Sequence, residues 1–290
     1  MTMDQTMHPV SAAPPAPPVP SMVAASLRVF DLSLWEMLWS RRTVFLGLVV
    51  GAPVFIAICL RVLDVAHSAG MRVNGVKLGG SALFGLMLWG PFLRAIIPLL
   101  GVFYGTSLIA DEIEDKTITY LFTRPIRRSA VLIGKYLAYL ASTVLIVLPA
   151  VMLVYFLVVP IGGGSIAATF LDLIRDLGLL AAGLAVYGAV FAAVGAWIKR
   201  PVLFGLFFAF GWEVLALSLP GYLKRFTVAF YLKGLVPGGV PQQDVVSMLE
   251  SYFRESIPAY QAIGVLAAIM AVSLLLAARA VERREYVLEQ

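Results

Sequence analysis

VLIGKYLAYLASTVLIVLPAVMLVYFLVV, residues 131–159, carries one charged side chain, Lys135, close to its start. A helix rises ~1.5 Å per residue, so about 20 apolar residues cross the hydrocarbon core of a bilayer. This stretch exceeds that need. Runs of the same character lie at 43–62, 84–109, 177–198, 201–219 and 260–280. Lys199-Arg200-Pro201 alone separates two of them and reads as a tight basic hairpin. Composition agrees: 60% of the residues are hydrophobic and 13% charged, where a soluble domain carries about 25% charged residues. The sequence therefore predicts an all-α integral membrane protein with six transmembrane helices.

The flanks differ from the spans. Residues 1–22 include Pro14-Pro15-Ala16-Pro17-Pro18-Val19-Pro20, which has no helical option and little to bury, so a disordered or extended tail is expected. It is not a signal peptide, because the first basic residue is Arg28 and no apolar run follows the start. Residues 24–40 place Leu27, Phe30, Leu34 and Leu38 at helical spacing, interrupted by Arg28, Asp31 and Glu36. With Trp35 and Trp39 this predicts an amphipathic helix lying on the inner membrane surface. Between spans five and six, residues 220–259 contain a turn at Pro237-Gly238-Gly239-Val240-Pro241. An apolar face follows at Val245, Val246, Met248, Leu249, Tyr252, Phe253 and Ile257. A re-entrant or surface-lying hairpin fits it.

Orientation follows from the basic residues. With the N-terminus inside, thirteen Lys and Arg fall on inner segments and eight on the longer outer ones, with Arg94 left in a span. Both termini are assigned to the cytoplasm. The formal charge of +5 is thus a matter of topology, and no nucleic-acid partner is called for. Cys59 is the lone cysteine and lies in an apolar run, so neither a disulfide nor a CxxC site is available. His8 and His67 have no ligand set near them, and no metal site is expected.

One inner loop carries more information. In ADEIEDKTITYLFTRPIRRSAVLIGKYLAYL, residues 110–140, Asp111, Glu112, Glu114 and Asp115 precede a short run that ends in Arg124-Pro125, Arg127 and Arg128. Acidic residues at the start of a helix and basic ones at its end suit the helix dipole, and Pro125 breaks the chain before span three. The product is a short cytoplasmic helix with an apolar strip at Ile118, Leu121 and Phe122. Such a strip docks into a partner's groove or rests on the membrane surface.

The wider stretch YGTSLIADEIEDKTITYLFTRPIRRSAVLIGKYLAY, residues 104–139, resembles the signature of ABC-2-type permeases, closest to the copper-enzyme-maturation and multidrug-export branch. The resemblance implies that this segment is the coupling helix that sits on an ATPase subunit. Glu112, Glu114, Thr117, Tyr120, Leu121, Thr123, Arg124, Pro125 and Arg128 take the matching positions, and Lys116 replaces the usual small residue. It also implies a six-helix domain over 23–285, a cytoplasmic tail at 286–290, and a bacterial cytoplasmic (inner) membrane location. Its partners would be an ABC ATPase, a second permease copy in a homodimer, and the lipid bilayer. The chain has no GxxxxGK[ST] phosphate cradle, so ATP and Mg²⁺ belong to the partner and this chain is a transport subunit, not an enzyme.

Two charges remain within spans: Arg94, about eight residues from the outer end of span two, and Glu213, about six from the outer end of span five. Such groups are costly in hydrocarbon and are usually paired, face water or snorkel. Here they either pair, line an outer-leaflet cavity, or reach the surface. An ion-coupled carrier or channel would use them as its coupling pair, but no inverted repeat supports one. A membrane-embedded lipid-modifying enzyme would need a nucleophile, base or metal set that the spans do not offer. Gly47 with Gly51, and Gly101 with Gly105, suit close helix approach, and Pro91 and Pro98 should kink span two.

Overall fold

A computed structural model of the chain describes residues 21–66, 72–73, 76–77, 79–109, 128–218, 222–236 and 258–283. The Pro-rich tail before Ser21, the acidic-to-basic segment 110–127, the apolar-face helix expected near 245–257 and the C-terminal tail 286–290 lie outside those residues.

Among the described residues the architecture is helical. Helix α1 is Met22–Leu38, opened by Ser21, whose hydroxyl accepts from the Ala24 amide at 3.3 Å. Helix α2 is Arg41–Ala66. Two-residue strands, Arg72–Val73 and Val76–Lys77, pair antiparallel beyond it. Helix α3, Gly80–Ile109, contains π-helical turns at Leu88–Ile96 and Gly101–Gly105. Helix α4 is Arg128–Val158 and α5 is Ile166–Trp197. Helix α6 joins Pro201–Leu206, a π-helical Phe207–Trp212 and Glu213–Ser218. The short α7, Val228–Leu235, and the long α8, Ala259–Arg283, complete it.

Among the described residues, five helices are long and apolar enough to cross a membrane: Leu46–Ala66, Gly80–Ile109, Ser129–Val158, Ile166–Trp197 and Ala259–Glu282. The fifth expected span, 201–219, corresponds to a shorter apolar helix, Pro201–Leu217. Span four begins earlier than its charges suggested. Asp172 and Arg175 pair along the helix at 3.3 Å, so the charged turn is helical and not a loop. At 32 residues α5 is ~48 Å long, well beyond one hydrocarbon thickness.

Burial ranks the helices. The apolar windows of α3 and α5 are each 56% buried, against 22% for α2 and 17% for α8. Helices α3 and α5 form the centre, while α2 and α8 turn most of their surface outward. The two glycine pairs divide accordingly. A Cβ added to Gly101 would lie 2.8 Å from Tyr187 Cβ, and one on Gly105 would lie 3.0 Å from the Gly188 carbonyl oxygen, so this pair sets the α3–α5 approach. A Cβ added to Gly47 or Gly51 would meet nothing within 4 Å from neighbouring helices among the described residues. Pro91 lies inside the first π-helical segment of α3, where the widened turns tolerate its missing N–H.

Helix α1 packs on α4 through small residues. Ala25, Ser26 and Ser33 are buried, and Gly134 of α4 lies against the Ser26 carbonyl and the Val29 side chain. Leu27, Leu32, Trp35 and Trp39 stay exposed, giving α1 an outward apolar face that includes both tryptophans. The reversals are tight. Gly162 and Gly163 take positive φ (68° and 85°) between α4 and α5, and only Ile198 to Arg200 separate α5 from α6, with Pro201 opening the latter.

Candidate transport core

Of the residues expected to dock an ATPase, Glu112, Glu114, Thr117, Ile118, Tyr120, Leu121, Arg124 and Pro125 lie outside the described residues. Arg128 is the first residue of α4. The segment is therefore bracketed by the ends of α3 at Ile109 and α4 at Arg128.

The two intramembrane charges are resolved differently from one another. Glu213 is buried in α6 at 3% exposure. Its Oε2 accepts from the Tyr187 hydroxyl of α5, and its Oε1 accepts from the Val228 amide at 3.0 Å. Val228 opens α7, so a side chain from α6 satisfies an amide that has no partner within its own helix. A carboxylate there also faces the positive end of the helix dipole. Tyr187 is fully buried and stacks on Phe191, ring centroids 6.1 Å apart. One residue thus ties three helices together.

Arg94 is exposed on α3, and no ion pair links it to Glu213. The expectation that they pair fails because the Glu213 oxygens are already engaged by closer neutral donors. Arg94 is instead placed where a long side chain reaches outward along the helix surface.

A second polar seam joins α4 to α5. The Tyr136 hydroxyl donates to the Ala185 carbonyl and that of Tyr139 to the Leu184 carbonyl, each at 2.8 Å. The Tyr139 ring fills the space over Gly188, where a Cβ would collide with it. Tyr104 of α3 reaches Thr43 of α2 at 2.6 Å between hydroxyls, and its ring centroid lies 6.2 Å from that of Tyr139. At the other end of α4, the Tyr155 hydroxyl donates to the Ile166 carbonyl at 2.7 Å. In hydrocarbon each such bond is worth ~0.6 kcal/mol and up to about 1.7, so the value of the seam lies in fixing register.

Sequence reasoning singled out neither Tyr187 nor Tyr139. The available signal was a tyrosine one helical step from a glycine, Tyr187-Gly188, in an otherwise aliphatic span. The expected span at 177–198 also began just beyond Asp176, yet Asp176 is buried at 6% exposure within α5. Among the described residues, no group of three or more His, Cys, Asp or Glu is disposed to hold a metal ion.

These features define a polytopic helical membrane protein with a central helix pair, polar ties between helices, and a short helix re-packed against the bundle. The sequence matches the family described as ABC-2 family transporter protein over residues 4–285, and the chain belongs to that family. No curated protein matches the chain.

Proposed function

We propose that this chain is the membrane-spanning permease of an ATP-binding cassette exporter and works with a separate ATPase subunit. The observation that carries this reading is the family match, which runs through nearly the whole chain and so takes in both the bundle and segment 111–128. In this reading Glu112, Glu114, Thr117, Ile118, Tyr120, Leu121, Arg124, Pro125 and Arg128 form the surface that docks on the ATPase. ATP and Mg²⁺ are bound by that partner. Closure of the ATPase pair moves the docked segment, and the segment moves α3 and α4, to which it is joined directly.

Six crossings are proposed, with both termini in the cytoplasm of a bacterial cell and α1 lying on the inner membrane surface. Helix α6 supports this count: 17 residues span ~26 Å, at the short end of what a crossing requires. The outward apolar face of α1, with Trp35 and Trp39, supports its interfacial position. Two copies are proposed to form the full pathway. The sparse burial of α2 and α8 supports a lipid or protein neighbour on those faces.

The test is co-expression with an ABC ATPase encoded beside this chain, followed by affinity purification and an ATPase assay. A stable complex whose ATPase rate responds to reconstitution in lipid supports the proposal. Failure of any such ATPase to bind overturns it.

A further inference from the structure

Among the described residues, two carboxylates are buried, Asp176 and Glu213, with opposite surroundings. Both oxygens of Glu213 accept hydrogen bonds. Asp176 Oδ1 is a buried side-chain oxygen with no hydrogen-bond partner among the described residues. Buried polar atoms are nearly always partnered, and a lone carboxylate oxygen shielded from water is costly. Asp176 also sits in the central helix α5, whose neighbours on the bundle side include the buried Leu173, Leu179 and Leu180. These offer no donor. The basic residue beside it in sequence, Arg175, is 60% exposed and its guanidinium bonds Asp172 at 3.3 Å. Asp172 in turn stands one helical turn before Asp176 and is about half exposed. The two carboxylates therefore lead from the first turns of α5 inward, the first already paired and the second with one oxygen, Oδ1, unpartnered among the described residues.

A site left unsatisfied in this way favours whichever ligand brings the missing donor. An anionic or neutral apolar cargo would gain nothing from it, and an anion would be repelled. We propose that Asp176 recognises the cationic headgroup of the transported molecule, so that the cargo class is ammonium-bearing amphiphiles with an N–H donor to give. The inference rests on the permease reading. A cation would reach Asp176 in a state of the bundle more open than this one.

The experiment uses the purified permease–ATPase complex in nanodiscs, with three probes of one chain length: decylammonium, decanol and decanoate, each below its micelle threshold. Ligand-induced thermal shift is titrated for the wild type, Asp176→Asn, Asp176→Leu and Asp172→Asn. A charged hydrogen bond in a dry site corresponds to roughly ten- to hundredfold in affinity. The expected result is that decylammonium binds the wild type and Asp172→Asn tighter than decanol by that factor, and that both Asp176 variants lose the preference. Because the variants remove an unsatisfied buried group, they should fold at least as well as the wild type. Absence of the ammonium preference in the wild type, or its persistence in either Asp176 variant, overturns the inference. Basal ATPase activity of the same complex, measured in parallel, separates that outcome from failure of the permease reading itself.

Discussion

The Tyr187 hydroxyl of α5 donates to the Glu213 carboxylate of α6, and that same carboxylate accepts from the first amide of α7. A single side chain thereby fixes where the short helix docks on the central one. Glu213→Ala would strand the Val228 amide and the Tyr187 hydroxyl in a buried site. Each stranded group costs about 1–3 kcal/mol, so the expected destabilisation is about 2–5 kcal/mol, read as a lowered unfolding midpoint in detergent. Tyr187→Phe removes one donor and leaves the amide in place, so its loss should be smaller, about 1–2 kcal/mol. The double variant should lose less than the sum of the two.

The α3–α5 seam predicts an asymmetry between the two glycine pairs. Gly101→Val and Gly105→Val put side-chain atoms into Tyr187 and into the Gly188 carbonyl, respectively. Overpacking of this kind costs about 1–3 kcal/mol or more where backbone must shift. Gly47→Ala and Gly51→Ala meet open space and should leave the monomer's melting midpoint unchanged. Thermal melts of the four variants in one detergent check this.

The tyrosine seam between α4 and α5 gives a milder prediction. Tyr139→Phe keeps the ring over Gly188 and deletes only the bond to the Leu184 carbonyl, with an expected cost of ~0.6 kcal/mol. Tyr139→Ala also empties the ring's place against Gly188 and should cost about 3–5 kcal/mol. A ratio near one between the two losses would mean the ring does not pack as described.

Topology can be read by labelling. Cys59 is the only cysteine, so Cys59→Ser provides a clean background for single cysteines. With the N-terminus inside and six crossings, a cysteine at Lys199 should react with an impermeant maleimide only after the membrane is opened. One at Lys224 should react in intact cells.

Much of this fold was legible in the sequence because hydrocarbon imposes a length and a composition on each helix. The runs at 43–62, 84–109, 131–159 and 260–280 correspond to α2, α3, α4 and α8 within a few residues. The start of α5 was not legible. Asp172, Arg175 and Asp176 read as a loop, whereas pairing of the first two along the helix and burial of the third carry it back to Ile166. Glu213 was flagged, but its partners were not, because a helix cap supplied from another helix has no local sequence pattern. The glycine pairs look alike in sequence, and only the packing tells Gly101 and Gly105 from Gly47 and Gly51.

The central proposal is that segment 111–128 docks this permease on an ATPase. It is tested most directly by pull-down of the ATPase on wild-type chain and on Leu121→Asp and Arg124→Glu, with the melting midpoint of each chain measured alongside. The prediction is at least a tenfold loss of bound ATPase in both variants with midpoints unchanged, since Leu121 and Arg124 belong to neither α3 nor α4. Full ATPase binding by both folded variants would contradict it.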